Sequence, residues 1–464
     1  MKRLTSTLAL AGWLAAAPAF AQNAAPAPAA SGALTQDEAV SIALQRNRDV
    51  IAARLEIDAA ELDVVAARVY PNPTLSYALG NLVLGKANPQ TDPATGVGIG
   101  NPGFFGQPVQ SVGISQVIDV WSKRGARTHV AEEGVARRRL LTEDALREIV
   151  YAVRSAFADV SREQNERDLA REVADRYAQT VRISQSRFRA GDISEADLRK
   201  IELEGTRYQN AVVDAETEWD LARGRLATLM GVPSARELPE RVHDPDVRAA
   251  FDRGQLVADA LAHRPDLQAA GAARKLAEAE ISAARREVYP DVEVGASYTH
   301  SSFTVSGDNP NTMGLTLSVP LPLFDRNKAG IGRARLDVRR AENERERLRL
   351  LVEHDVTEAV RKAARAQELL RVFEGESAGA STPVTPVPAP LAITATHDVG
   401  GMLKRAEIAL SVAERSYKAG AASLLDLLEA QRTFLDTRAQ YLRVLYDYRQ
   451  AAIDVTHAVG EGTP

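Results

Sequence analysis

The chain has 464 residues, a formal net charge of −5 and no cysteine, and only 5% of its residues are aromatic. The lack of cysteine excludes a disulfide framework, and an acidic chain without a basic cluster is a poor binder of nucleic acid. The low aromatic content, with 26% charged residues, is typical of long helices with narrow apolar seams rather than of a compact enzyme.

The N-terminus has the three parts of a secretory signal peptide. The basic pair Lys2 and Arg3 precedes a mostly apolar stretch, and alanines flank Phe20 at the two positions that signal peptidase inspects. We therefore expect residues 1–21 to be removed and residues 22–33 to form an Ala/Pro linker. Because no cysteine is present, we expect no lipid anchor on the mature chain.

The same pattern of residues is written twice along the chain. Matched pairs of segments follow one another in the same order, at offsets between 203 and 229 residues: 43–50 with 260–267, 69–71 with 288–290, 114–121 with 317–324, 188–198 with 417–427, and Gly231 with Gly460. Such order predicts a duplication. It divides the chain into a first repeat over 34–231, a linker over 232–253 and a second repeat over 254–460.

Each repeat is predicted to begin with a helix of about 36 residues that ends at a Tyr-Pro pair, over 34–69 and then 254–289. Alternation of apolar with small or polar residues then predicts two strands in each repeat: about 74–84 and 110–121, and about 291–304 and 312–324. The length of these strands and the secretory signal favour a membrane barrel over the edge of a soluble sandwich.

Long helical hairpins are predicted after the strands. Residues 123–190 contain no proline, so they predict a helix of roughly 100 Å that turns at Gly191 and returns over 193–230. In the second repeat the Gly/Ser/Thr/Pro segment 375–400 interrupts the long helix and is predicted to be a surface loop, and the second turn lies near Gly420. The two shorter helices of each repeat are expected to stack end to end beside the long one.

The duplicated strand pairs and helical hairpins resemble the TolC-type outer-membrane efflux factors. The most specific residues are the two turns with the pattern Ala-Gly-x-x-Ser-x-x-Asp-Leu, at 190–198 and 419–427. The segments 70–73 (Tyr-Pro-Asn-Pro), 115–119 (Ser-Gln-Val-Ile-Asp) and 123–125 (Lys-Arg-Gly) are similar to the cobalt-zinc-cadmium resistance branch of that family.

This resemblance implies a mainly α protein with a membrane β-barrel. Three copies would form a homotrimer with twelve strands in one barrel, set in outer-membrane lipid, and a long periplasmic tunnel of helices. The implied function is the exit duct of a tripartite efflux system, joined by a periplasmic adaptor protein to an inner-membrane pump of the RND type. Heavy-metal cations such as cobalt, zinc and cadmium are the expected cargo; drugs, other organic compounds and type I secretion remain open.

The resemblance also implies site residues at the two turns. The expected adaptor-docking tips are the turn glycines and the polar residues after them: Gly191, Ser194, Asp197, Gly420 and Ser423. Asp426 and Glu429, three residues apart, are expected to face the narrow end of the tunnel as a gate of six carboxylates, which would favour cations. In the first repeat, Lys200 replaces the second acid.

No catalytic residue, cofactor site or metal site is predicted. The sequence has no nucleophile elbow, no phosphate-binding glycine loop and no His-Glu-x-x-His motif, and its seven histidines never fall three or four residues apart. The segment 243–247, which begins His-Asp-Pro-Asp, is interpreted as linker. A periplasmic adaptor is the alternative from another class, but it would have one hairpin and soluble β-domains, whereas this chain has two hairpins and four amphipathic strands.

Overall fold

The structure is a computed structural model that describes residues 33–82, 90–91, 94, 98–99, 108–239, 241–243, 251–302, 309–375, 401–419 and 421–460. The predicted signal peptide, nearly all of the Ala/Pro linker and the insert after Gly375 lie outside the described residues. Within them, no helix combines the length and the apolar character that crossing a bilayer requires.

Each half of the chain contains a helix pair, long strands, a long helix and a return helix. The first half has β1 (Leu34–Thr35), α1 (Gln36–Arg46), α2 (Arg48–Arg68), β2 (Thr74–Gly80), β3 (Gln90–Thr91), β4 (Gly98–Ile99), β5 (Val109–Ile118), α3 (Lys123–Arg189), α4 (Glu195–Leu229) and β6 (Val242–His243). The second half has α5 (Arg253–His263), α6 (Pro265–Arg286), β7 (Val292–Ser301), β8 (Asn311–Ser318), α7 (Lys328–Glu374), α8 (Met402–Lys418) and α9 (Leu424–Val459).

The first helix of each repeat is broken into two. Asn47 separates α1 from α2 with an extended ψ of 131°, and Arg264 separates α5 from α6 with a ψ of 122°. Asn47 Oδ1 accepts a hydrogen bond of 2.7 Å from the second residue of α2 and so caps that helix. Pro265 opens α6 and disfavours a helical Arg264. The predictions of single helices over 34–69 and 254–289 are therefore wrong.

Four strands form one antiparallel sheet in the order β2-β5-β7-β8. Tyr77, Val112, Tyr298 and Met313 lie opposite one another in a single row across it. The outer strands β2 and β8 each present an edge that no other described strand pairs. A sheet with two open edges has unpaired backbone donors and acceptors along both sides.

The strands are shorter than the alternating pattern suggested. β2 ends at Gly80, whereas the prediction reached residue 84, and β8 ends at Ser318, whereas the prediction reached residue 324. The apolar alternation continues beyond Ser318, but Pro320 and Pro322 have no N–H to donate to a neighbouring strand. Side-chain periodicity alone therefore overestimates the length of β8.

The sheet has an apolar face and a small-residue face. The apolar face is well exposed, with Met313 at 82% and Leu315 at 88%, and its other members include Leu75, Tyr77, Leu79, Val112, Ile114, Ile118, Val294, Tyr298 and Leu317. The small-residue face is made mainly of hydroxyl and glycine positions: Thr74, Ser76, Ser111, Gly113, Ser115, Gly295, Ser297, Thr299, Thr312, Gly314, Thr316 and Ser318.

The small-residue face is the more crowded of the two. A Cβ at Gly113 would lie 2.9 Å from Ser76 Oγ, and a Cβ at Gly314 would lie 2.9 Å from Ser297 Oγ. Glycine at these two positions leaves room for the serine side chain of the paired strand. The apolar side chains stand on the opposite, more exposed face.

The helices pack around the two long rods α3 and α7. In the first repeat α1, α2 and α4 pack on α3, and in the second repeat α5, α6, α8 and α9 pack on α7. The apolar seam of α3 includes Val153, Phe157 and Val160, which have the spacing of one helix face. This seam packs against Leu226 and Met230 at the C-terminal end of α4. In the second repeat the equivalent core joins α7 to α5 and α9.

The linker between the repeats is partly ordered against the first repeat. β6 pairs in parallel with β1, so that Leu34 lies opposite Val242. Gln164 Oε1 of α3 also accepts a hydrogen bond of 3.0 Å from Val242 N. This part of the linker therefore fastens the start of the first repeat to the long helix.

Candidate functional site

The first hairpin tip joins α3 to α4 through a turn at Gly191. The φ of Gly191 is +86°, a left-handed conformation that favours glycine. Gly191 N donates to Phe188 O at 3.0 Å and Asp192 N donates to Arg187 O at 2.9 Å, so these bonds close the end of α3. A Cβ at Gly191 would meet no atom within 4 Å, and the tip is therefore open around this residue.

The second hairpin tip has the same plan, although Gly420 lies outside the described residues. α8 ends at Lys418, and both Ala421 N and Ala422 N donate to Ser416 O, at 2.9 and 3.2 Å. These bonds satisfy a carbonyl in the last turn of α8.

Serine and aspartate start the return helix at both tips. Ser194 Oγ accepts from Asp197 N at 3.1 Å and donates to Asp197 Oδ2 at 2.7 Å. Ser423 and Asp426 repeat these contacts at 3.2 and 2.7 Å, and Asp426 Oδ2 also accepts from Ser423 N at 2.9 Å. The second pair is therefore a capping box, in which aspartate takes the place usually held by glutamate.

The two residues of the predicted gate lie one turn apart on the exposed side of α9. Hydrogen bonds from the hydroxyl and the backbone N–H of Ser423 lower the pKa of Asp426. In the single chain, Asp426 is thus an ionised helix-capping group. Crowding with other carboxylates would act in the opposite direction and raise that pKa. Glu429 is also exposed, and its backbone carbonyl accepts from Thr433 Oγ1 at 2.9 Å.

The first repeat has a mixed pair at the equivalent positions. Lys200 Nζ lies 4.0 Å from Asp197 Oδ1, and both side chains are exposed, so the pair contributes little to stability. Two acidic residues therefore occupy these two positions only in the second repeat, as the sequence indicated. The use of either tip in docking, and of Asp426 and Glu429 as a gate, stays a prediction.

A second group of polar residues, which the sequence analysis missed, lies at the two helix breaks. Asn47 Nδ2 donates to Leu229 O at 2.7 Å, and Arg264 Nη1 donates to Ala458 O at 3.4 Å. Both side chains belong to residues that are only 5% exposed. Each break is therefore tied to the end of the return helix of its own repeat.

In the second repeat this joint carries buried charge. Arg264 Nη2 donates to Asp266 Oδ2 at 2.7 Å, and Arg264 Nη1 lies 3.1 Å from Asp355 Oδ2. Burial acts to raise the pKa of Asp266, but the hydrogen bond and charge of Arg264 outweigh it, so the pKa is lowered. A buried arginine with two carboxylate partners satisfies the requirement that buried charges be paired.

A neighbouring network joins α3 to the end of α9. Arg147 Nη1 donates to His457 O at 2.9 Å, and Arg147 Nη2 lies 2.8 Å from Glu148 Oε1. Glu148 Oε1 is also 3.0 Å from His457 Nε2. The hydrogen bond with His457 lowers the pKa of Glu148, although burial opposes it, and the charge of Arg147 adds to the lowering. This network and the Arg264 ion pairs lock α3, α6, α7 and α9 at one level.

The part of the chain that the structure describes contains no group of three or more His, Cys, Asp or Glu side chains that could hold a metal ion. Of the segment 243–247, only His243 is among the described residues. The described geometry therefore consists of two open helical tips, two buried joints and an amphipathic sheet.

These features define a class of protein. The sequence pattern of the family described as outer membrane efflux protein matches residues 39–232, 256–382 and 401–461. The chain belongs to this family, whose fold is that of a channel, and the family predicted from the repeated turns is confirmed.

Among individual proteins, the chain is 26% identical to the cobalt-zinc-cadmium resistance protein CzcC of Cupriavidus metallidurans over 435 residues, which cover 93% of this chain and 91% of that protein. It is also 26% identical over 297 residues to the pyoverdine export outer membrane protein OpmQ of Pseudomonas putida, a match that covers 62% of this chain and 56% of that relative.

The fold is shared with solved channel structures. The outer membrane protein VceC of Vibrio cholerae superimposes with a TM-score of 0.67 over 92% of this chain and 97% of that chain, at 17% sequence identity. The predicted fold class, a duplicated protomer of helical hairpins and strand pairs, is confirmed by this similarity.

Proposed function

We propose that the chain is the outer-membrane exit duct of a tripartite efflux system and that its cargo is heavy-metal cations. The observation that carries the proposal is the amphipathic four-stranded sheet with two open edges, set directly at the base of two long helical hairpins. The full-length similarity to a cobalt-zinc-cadmium resistance protein supports the metal cargo.

The open edges of the sheet support a trimer. Pairing β8 of one copy with β2 of the next would satisfy both edges, and the ring closes when every copy has two neighbours. Two copies would give eight strands, whose interior is just wide enough to be filled by side chains, whereas three copies give twelve strands and a wider lumen. A duct therefore favours the homotrimer.

The apolar face of the sheet then meets lipid. Leu75, Met313, Leu315 and Leu317 stand on that face and are exposed in the single chain. In a barrel they would cover the outside, and the hydroxyl and glycine positions would line the lumen, which is the alternation of membrane barrels. Export by the predicted signal peptide, without a lipid anchor, would bring the chain to the outer membrane.

The tips lie far from the sheet. α3 begins five residues after β5 ends and continues for 67 residues to the turn at Gly191, so it reaches roughly 100 Å into the periplasm. We therefore expect the open turn to be the part of the duct that meets an adaptor and, through it, an RND-type pump. Glutamine at both Gly191 and Gly420 is expected to abolish resistance while trimers still assemble; loss of the trimer as well would make these glycines structural only.

The predicted gate lies at the same end of the duct as the hairpin tips. Asp426 and Glu429 lie at the start of α9, next to the second tip, where threefold symmetry would bring six carboxylates to the narrow end of the tunnel. Such a ring would attract cations and would be blocked by multivalent ones.

The experiment that tests the cargo is a deletion strain exposed to graded zinc, cobalt, cadmium and drug panels. The deletion is expected to sensitise cells to the metals, and the intact gene carried on a plasmid is expected to restore resistance. Sensitivity to organic compounds alone would overturn the metal cargo and favour organic export, the chemistry named for the pyoverdine relative. Unchanged sensitivity to every compound would oppose an efflux role.

A further inference from the structure

The small-residue face of the sheet carries one ionisable side chain within the four strands described, and this is Glu293. Glu293 lies opposite Val117 of β5 and Ser318 of β8. Because side chains alternate along a strand, Glu293 shares its face with Gly295, Ser297 and Thr299. A carboxylate therefore stands on the small-residue face of the sheet, one residue after β7 begins.

The charged groups nearest to this end of the sheet in sequence have other partners. Lys123 Nζ lies 2.9 Å from Asp291 Oδ1 and 3.5 Å from Glu287 Oε2. The guanidinium of Arg286 donates to backbone carbonyls at the start of α3, at 3.0 and 3.1 Å. Across the described residues, no cation lies within ion-pair distance of the Glu293 carboxylate, so its charge is not balanced locally.

The wall around Glu293 offers dipoles but no opposing charge. The residues on the same face of the neighbouring strands are serine, threonine, glycine and valine. Hydroxyl groups can hydrogen-bond the water shell of an ion, but they do not neutralise a carboxylate. A fixed negative charge on the wall of a lumen raises the local concentration of cations beside that wall.

We propose that Glu293 is a specificity-determining residue of the duct, which attracts hydrated divalent metal cations where the barrel meets the helical tunnel. The inference rests on the proposed trimeric duct, in which three copies of Glu293 stand at one level of the lumen. It adds a second electronegative position to the one predicted at Asp426 and Glu429. The two positions are separated by the length of the hairpins, roughly 100 Å.

Planar-bilayer recording of the full-length, purified protein tests this proposal. Removing the charge with Glu293→Gln is expected to lower the K⁺/Cl⁻ permeability ratio, measured from the reversal potential in a KCl gradient, by at least about twofold, because in water one unit charge at contact distance enriches a monovalent counter-ion by about fivefold. The concentration of Co²⁺ that halves the current should rise in the same variant. Glu293→Asp is expected to keep both values near wild type.

Glu293→Ser provides a second neutral variant, since serine already occupies neighbouring positions on this face, and Ser297→Ala is the matched control that changes the same face without changing its charge. An unchanged permeability ratio in either conducting neutral variant would overturn the role of Glu293 while the duct itself stands. A wild-type protein that forms no conducting channel would overturn the proposed duct, and this inference with it.

Discussion

Asn47 and Arg264 hold equivalent positions in the two repeats, and each donates a hydrogen bond to a carbonyl at the end of its own return helix. The acceptors are Leu229 O, at 2.7 Å, and Ala458 O, at 3.4 Å. The two donors are 217 positions apart and the two acceptors are 229 apart, which are offsets at which the repeat is visible in the sequence. One joint is therefore built twice, with a neutral amide in the first copy and a charge in the second.

The side-chain amide of Asn47 caps α2 and donates a hydrogen bond to Leu229 O, and substitution separates these two contributions to stability. Asn47→Ala removes the cap of α2 and the bond to Leu229 O, and it is expected to lower the free energy of unfolding by about 2 kcal/mol. Asn47→Ser keeps a neutral acceptor for the cap but has no donor that reaches Leu229 O, so its loss should be smaller. Thermal unfolding followed by circular dichroism measures both; equal losses would show that the cap contributes nothing.

Two glycines with positive φ provide a matched pair. Gly231 has a φ of +66°, and a Cβ there would lie 2.5 Å from Arg46 O, whereas a Cβ at Gly191 would meet open space. Gly191→Ala is expected to cost about 1 kcal/mol from backbone strain. Gly231→Ala adds a clash with backbone in the joint and should cost more than about 2 kcal/mol. Guanidinium unfolding midpoints compare them, and similar midpoints would contradict the tight joint at Gly231.

The alternating patterns, the absence of proline over 123–190 and the repeated turns were sufficient to predict the strand pairs, the long hairpin and the family. The helix breaks were missed because a single polar residue between two helical stretches leaves the 3.6-residue periodicity almost unchanged. Pro265 was the available signal, since proline often occupies the first position of a helix. At Asn47 there was no such signal beyond the preference of asparagine for helix starts.

The acid network at the second joint predicts a pH dependence of stability. The folded protein holds the pKa of Glu148 below its ordinary value of 4.5, because the hydrogen bond with the His457 ring and the nearby charge of Arg147 stabilise the carboxylate. The unfolded chain therefore binds more protons in acid, and stability should fall as the pH drops from about 4.5 through the lowered pKa. Glu148→Gln is expected to flatten this loss in unfolding measurements across acidic pH.

Glu344 is the control for that experiment. Hydrogen bonding to Arg347 also lowers its pKa, but both side chains are exposed and solvent screens the pair. Glu344→Gln should leave the acid limb of the stability curve close to wild type. If the two variants behave alike, the network around Glu148 does not contribute to acid sensitivity.

Removal of both acids at the predicted gate should change ion selectivity. Asp426→Asn with Glu429→Gln is expected to weaken cation preference and to relieve block by multivalent cations in single-channel recordings. Asparagine can still accept the hydrogen bond from Ser423 N, so the start of α9 should persist. Asp197→Asn is the matched control, since Lys200 already opposes that acid. Unchanged selectivity in an assembled trimer would place the gate elsewhere.

The candidate site was predictable only in part. The repeated serine and aspartate pairs stood out in the sequence because they recur at one offset, and the structure explains them first as helix caps. The distance between the acids of neighbouring copies depends on the assembled trimer and is not defined by one protomer. Glu293 was not singled out from the sequence. The register of the strands is needed to show that this acid lies on the small-residue face of the sheet.

The central claim, that three copies join β8 of one to β2 of the next, is tested most directly by cysteine cross-linking in outer membranes. The natural chain has no cysteine, so every disulfide is attributable to the pair introduced. Tyr77→Cys on β2 would be combined in turn with cysteine at each of four β8 positions: Asn311, Met313, Leu315 and Leu317. Within one chain β5 and β7 separate these strands by about 14 Å, beyond the reach of a disulfide.

At least one of the four pairs is expected to give a covalent trimer on a non-reducing gel, with dimer as its only intermediate. Val112→Cys on the inner strand β5, combined with the same four positions, should give monomer only. Monomer from every Tyr77 pair, in a protein extracted from the membrane as a single copy, would contradict the shared barrel.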